Sequence, residues 1–225
     1  GVPVVMKRLA SVLHTEEKTL LGDTWGDFLT RITIPEDSII RPLDQPWGDI
    51  AGMRILKGNL AAEGAVCRPT GVPEDMREFR GRARVFDREE LAAEAIMRDE
   101  IHPGEIIVLR YEGPKGSPGM NELMKATDRF IAKGMERQVA LISDGHFSGF
   151  NHGTIIGHVA PEAMVGGLIA FVEDGDLIEY SIPNGILELK VPEEVIAERR
   201  KHWQPPEPKV KRGVLAIYGA TCRPA

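Results

Sequence analysis

The sequence predicts an α+β, β-rich fold, a closed or sandwich-like β core with helices outside it, preceded by a short helical segment. Three observations lead there. From Met53 onward, short apolar or alternating runs recur, bounded by Gly, Pro, Asn and Asp, as strands separated by turns do. A few stretches between them carry apolar residues at helical spacing, which places helices around a core made by strands. The opening residues have helical periodicity and run into an irregular stretch broken by Pro35, Pro42 and Pro46. The expected division is a helical appendage over 1–45 and a main domain over 46–225.

Val4, Val5, Leu9, Val12 and Leu13 predict a helix over 3–14, with Pro3 in its first turn, where a missing N–H costs nothing. Asp23 or Thr24 can cap a second helix carrying Trp25, Phe28, Leu29 and Ile32 on one face. Strands are expected over 53–56, 65–68 and 82–86. Asp87 followed by Glu90 has the form of a capping box and opens a helix through Leu91, Ala95 and Ile96, ended by His102-Pro103-Gly104. Ile106 to Leu109 is a buried strand leading into the Gly- and Pro-rich loop 110–120. A helix over 121–133 turns Leu123, Met124, Thr127, Phe130 and Ile131 inward, and Gly134 terminates it.

After a buried strand over 139–142, the runs 168–172 and 177–182 around Glu173-Asp174-Gly175-Asp176 predict a hairpin. Pro183-Asn184-Gly185 turns the chain into 186–191, where alternation implies one wet face. Pro192 opens a charged helix to about Trp203. Residues 204–208 form a stiff proline-rich connector, and 213–218 is a last apolar segment.

With 225 residues the chain can bury a sizeable core. A net charge of -6 argues against a nucleic-acid partner, which favours a basic face. No apolar run approaches the roughly 20 residues that cross a bilayer, and no secretory signal opens the chain. Cys67 and Cys222 stand alone, forming neither a disulfide framework nor a metal knuckle. A reduced, cytoplasmic setting is expected. The chain starts at Gly1 without an initiator Met and reads as a portion of something longer.

The chemistry centres on 139–149, where a strand buried on both faces runs into Ser143-Asp144-Gly145, and Gly145 and Gly149 bracket His146, Phe147 and Ser148. Glycine on each side permits positive φ and close approach of backbone to a ligand. Alternatively, Asp144-Gly145 simply closes a hairpin. A hydroxyl such as that of Ser148 becomes a useful base only if a metal, positive charge or fixed N–H donors stabilise its alkoxide. Gly113-Pro-Lys-Gly-Ser-Pro-Gly119 resembles a phosphate cradle with Lys115 as anion holder, but it lacks the P-loop order and reads as a structural turn. Glu122, near a helix start, either caps that helix or serves as a hard-cation ligand. His146, His152 and His158 fall six apart, which no regular element brings to one zinc ion.

Taken together, Arg110-Tyr-Glu-Gly-Pro-Lys-Gly-Ser-Pro-Gly-Met-Asn-Glu122, Asp144-Gly-His-Phe-Ser-Gly149 and Ile156-Gly-His-Val-Ala-Pro-Glu-Ala163 resemble C-terminal motifs of the dihydroxy-acid and 6-phosphogluconate dehydratase family. Ile39-Ile-Arg-Pro-Leu-Asp44, Leu56-Lys-Gly-Asn-Leu-Ala61, Ala83-Arg-Val-Phe-Asp87 and Arg212-Gly-Val-Leu-Ala216 extend the resemblance over essentially the whole chain. It implies a barrel-like swivelling β/β/α domain with flanking helices, joined at 1–45 to the tail of an N-terminal cluster-binding domain. The reaction it implies is loss of water from a 2,3-dihydroxy acid, giving a 2-keto acid through an enol, within branched-chain amino-acid biosynthesis. An iron–sulfur cluster would act on the leaving 3-hydroxyl, and Mg2+ would hold the carboxylate and 2-hydroxyl. Ser148 matches the serine that abstracts the C2 proton, Glu122 the magnesium-binding glutamate, and Gly145, His146 and Gly149 the substrate-contacting turn. Cluster ligands would lie in the N-terminal domain, which is the expected partner, in a homodimer.

Two residues depart from the family pattern. His146 stands where Arg is usual and removes a permanent cation beside the serine, and Phe150 puts a bulky ring where a small residue is normal. A sugar-acid or 6-phosphogluconate dehydratase paralogue is therefore the second expectation. The third is that the isolated chain is a catalytically silent docking domain, inactive by itself.

Overall fold

The computed structural model describes residues 1–48, 52–149 and 151–225. The chain divides into two compact units, Gly1–Ile50 and Ala51–Ala225. In the first, α1 (Val2–Arg8) carries Pro3 in its first turn and is followed by a short 3-10 turn, Ala10–Val12. The single helix expected over 3–14 thus stops early. The carbonyls of Thr15 and Glu17 instead accept the N–H groups of Gly26 (2.8 Å) and Trp25 (2.9 Å) at the start of α2 (Trp25–Thr30). Thr24 caps α2 in a reciprocal box with Asp27, and Asp23 pairs with Arg31 instead.

In the second unit, β1 (Arg54–Leu56), β2 (Gly64–Cys67) and β3 (Glu78–Phe86) are followed by α3 (Glu89–Met97) and β4 (Glu105–Leu109). Then come α4 (Met124–Ala132), β5 (Ala140–Ser143), β6 (Thr154–Ala160), β7 (Leu177–Ser181), β8 (Ile186–Leu189), α5 (Glu193–His202) and α6 (Val214–Thr221). The strand order is β1-β2-β6-β5-β4-β3-β7-β8, with β3, β4, β5 and β6 mutually parallel and the outer pairs antiparallel. A bridge between Lys57 and Ile186 brings the two edges together, through Lys57 N–H to Gly185 O (2.8 Å) and Leu187 N–H to Lys57 O (2.9 Å). The result is a nearly closed barrel with flanking helices, which leaves little open edge.

Its central strands are apolar on both faces because both are covered. Ile106, Val108, Ala140, Ile142 and Ile156 join the barrel interior, while Ile107, Leu109, Leu141 and Ile155 face the second core. There α3 and α4 supply Ala92, Ala95, Ile96, Ala126 and Phe130. Each fully buried Leu or Ile contributes about 1.5–3 kcal/mol. Among the described residues, no helix is long and apolar enough to cross a membrane.

Several expectations are corrected. The run 168–172 is a 3-10 helix, Leu168–Phe171, whose Ile169 and Phe171 enter the barrel core, so β7 pairs with β3 and β8 and forms no hairpin with it. Residues 154–160, unassigned from sequence, form β6, and 213–218 lies within α6 and the residue preceding it. Asp87 pairs with Arg110 and does not cap α3; the buried Glu112 carboxylate accepts Glu89 N–H (3.1 Å) there. Glu89 in turn accepts Ala126 N–H (3.0 Å) in the first turn of α4. Gly134, with φ +65, ends α4 as expected.

Candidate active site

Strand β5 ends at Ser143, and the next residue builds the site. Asp144 is fully buried, and its carboxylate accepts the N–H groups of Tyr111 (3.1 Å), Glu112 (2.9 Å) and Ala163 (2.8 Å). One side chain therefore pins the exits of three segments: β4, β5 and the stretch after β6. Burial pushes Asp144 up to about 6, against the pull of those donors and with Glu162 adding like charge.

Gly145 follows, and a Cβ there would lie 2.8 Å from Glu112 Cβ and 2.9 Å from its carbonyl oxygen. Its need is close approach. Neither Gly145 nor Gly149 has positive φ, and Gly149 is exposed with open space around it, which corrects the conformational role expected of the pair. The hairpin alternative fails as well, because β5 and β6 run parallel, Ala140 opposite Thr154. Residues 144–149 thus begin a crossover at the carboxyl end of β5, a usual place for a site in such sheets.

Two further bonds hold this crossover. Gly145 O accepts His158 N–H (2.8 Å), and His146 O accepts Leu123 N–H (3.1 Å), which joins the Ser148 turn to the segment carrying Glu122. His146 Nε2 lies 2.6 Å from Met120 O; a carbonyl only accepts, so this nitrogen bears the proton. The rings of His146 and His158 are 5.8 Å apart. His158 adopts φ +54, and burial, then His146, holds its imidazole below the ordinary range, hence neutral near pH 7.

Half-buried Ser148 borders a cavity of about 220 Å3 with Met53, Cys67, Arg68, Phe147 and His158 among its walls. His146 and Glu122 are not in that lining. Glu122 is exposed just before α4, where Ala126 N–H donates to Glu89 and no side chain makes a capping bond, so its carboxylate is not the cap. Phe150, the second departure, lies outside the described residues.

The glycine-rich loop is a structural turn. Lys115 N–H (3.0 Å) and Gly116 N–H (3.1 Å) donate to buried Glu162, and Lys115 Nζ donates to Gly219 O and Ala220 O (3.2 Å each). Cys67 lies buried in the barrel core at the wall of the cavity beside Ser148, its thiol pushed up to about 12 by burial, and Cys222 Sγ lies 3.6 Å from Pro114 O. Among the described residues, no three His, Cys, Asp or Glu side chains converge as a metal-binding group. These two cysteines do not fit a cluster, and Glu122 is a single exposed carboxylate, an oxygen donor of the kind a hard cation takes.

Sequence reasoning treated Asp144 as a turn former and passed over Glu162 and Arg68. A carboxylate next to an obligatory glycine at a strand end was the available signal for the first.

Residues 38–225 match the family model described as dihydroxy-acid/6-phosphogluconate dehydratase C-terminal. The chain is similar to the dihydroxy-acid dehydratases of Agathobacter rectalis (48% identity over 222 residues, 98% of this chain), Thermosynechococcus vestitus (47% over 223, 97%) and Acetivibrio thermocellus (43% over 220, 97%). It spans 40% of the length of each of these relatives. The chain therefore belongs to the dihydroxy-acid/6-phosphogluconate dehydratase family and corresponds to its C-terminal portion.

Proposed function

We propose that this chain supplies the base of a hydro-lyase that dehydrates a 2,3-dihydroxy acid to a 2-keto acid in branched-chain amino-acid biosynthesis. The observation that carries this reading is the setting of Ser148: a turn held by Asp144, His158 and Leu123, at the carboxyl end of a parallel strand, beside a cavity. Such rigidity suits a group that must meet one C–H bond. Ser148 Oγ, as alkoxide, takes the C2 proton. The C2–H electron pair becomes the C2–C3 double bond, and the C3 hydroxyl leaves and takes up the proton that Ser148 has accepted, so that one water is lost and the alkoxide is restored. The enol then moves its proton from oxygen to C3, giving the keto acid.

Glu122 would hold a magnesium ion from this side, and such an ion, when bound, would supply positive charge to the substrate. The iron–sulfur cluster is assigned to the portion of the protein outside this chain, and the steps given to Ser148 do not pass through it. That portion is the proposed partner, in a cytoplasmic homodimer, and the isolated chain is expected to be inactive. Because His146, bonded to Met120 O, stands where an Arg is usual, a sugar-acid or 6-phosphogluconate dehydratase paralogue is kept as the second reading. The test is an anaerobic activity screen of the full-length protein against branched dihydroxy acids and sugar acids. Turnover of 2,3-dihydroxyisovalerate is expected, and turnover of sugar acids alone supports the second reading.

A further inference from the structure

Arg68 follows the last residue of β2 and reaches the cavity that Ser148 borders. Its Nη2 donates to the carbonyl of Asn151, three residues beyond Ser148. The same crossover is held from beneath by Gly71, whose carbonyl accepts Gly153 N–H (2.9 Å). A Cβ on Gly71 would stand 2.6 Å from Asn151 O and 2.8 Å from Arg68 Nη2, so glycine is needed for the guanidinium and the loop to meet. Among the described residues lining the cavity, Arg68 is the one with a permanent charge. The other titratable groups around the turn are Cys67 from β2, His158 from β6, Glu112 beside Gly145, Glu136 beside Gly153 and, between β5 and β6 themselves, the carboxyl of Asp144 and the imidazoles of His146 and His152. None of these replaces a fixed cation: Cys67 is a buried thiol and His158 is held neutral.

We propose that Arg68 is a positioning residue for Ser148: it clamps the crossover through Asn151 and gives the cavity the fixed positive charge that stabilises the serine in its anionic form. This rests on the reading of Ser148 as the base. It also accounts for how the site tolerates His146, since the cation arrives from β2 and not from the turn.

The experiment uses the full-length holoenzyme, with kcat and KM for 2,3-dihydroxyisovalerate measured across pH for wild type, Ser148→Ala, Arg68→Gln and Arg68→Lys. Gln keeps a donor for Asn151 but no charge, and Lys keeps the charge. A nearby opposite charge favours an acid's ionised form and lowers its pKa, by about 1–3 units in typical cases. Arg68→Gln is therefore expected to move the rising limb of kcat up by about one pH unit or more, lowering kcat at pH 7 about tenfold with KM little altered. Arg68→Lys is expected to return the limb to within a few tenths of a unit of wild type. If Ser148→Ala abolishes turnover but Arg68→Gln leaves the limb in place, or lowers kcat equally at every pH, the role given to Arg68 is wrong. If Ser148→Ala turns over normally, the base assignment fails, and the role of Arg68 falls with it.

Discussion

The backbone N–H of His158 donates to the carbonyl of Gly145 over 2.8 Å, so the turn presenting Ser148 is tied to the neighbouring strand by a residue whose side chain borders the same cavity. The backbone there has φ +54, which Asn tolerates better than most residues. His158→Asn should therefore fold, and it isolates the imidazole. Burial, then His146, depresses the folded value below the ordinary 6.5. Its contribution is thus present above 6.5 and is lost as pH falls through the lower folded value. Thermal melts from pH 7 to 5 should show wild type losing stability relative to His158→Asn. Parallel curves would remove this linkage.

Asp144 has the opposite sign. Its folded value is raised from 3.8 to about 6, so its titration favours the folded state below 3.8 and that contribution is lost as pH rises through about 6. Comparing wild type with His158→Asn cancels this term, because both proteins retain Asp144. Asp144→Asn offers a single amide oxygen to the three N–H groups now shared by two carboxylate oxygens. At least one buried donor loses its partner, at about 1–3 kcal/mol. A lowered denaturation midpoint, with an unchanged slope against denaturant, is the expected result. An unchanged midpoint would show that the three segments are held by other contacts.

Glu122 separates a metal role from a structural one. Since Glu89 meets the first turn of α4, Glu122→Gln should leave the melting temperature of the full-length protein nearly unchanged. A neutral amide is a poorer ligand for a hard cation, so the magnesium concentration giving half-maximal activity should rise. A fall in melting temperature with unaltered magnesium dependence would return Glu122 to a structural part.

Much of this was legible in the sequence because local chemistry and tertiary context agree. The run Val139 to Ile142 reads as a strand buried on both faces, and it lies between two cores. Gly134 and the Thr24 region ended and began their helices where turn and cap chemistry place them. What misled was context. The run 168–172 is apolar enough for a strand, but the barrel interior accepts it as a 3-10 helix. β6 was hidden because Gly157 and His158 interrupt its apolar run, and those two residues are where the strand meets the Ser148 turn. Arg68 and Asn151 are 83 positions apart, and no spacing rule connects them.

The central claim is that Ser148 is the base, and kcat of Ser148→Ala in the full-length holoenzyme tests it most directly. Loss of a general base costs about 10² to 10⁴ in rate. The account predicts a fall of at least that size in kcat with KM little changed, because the lost interaction acts in the transition state. Melting temperature and cluster absorbance should match wild type. A Ser148→Ala enzyme with near-normal kcat would contradict the account at its centre.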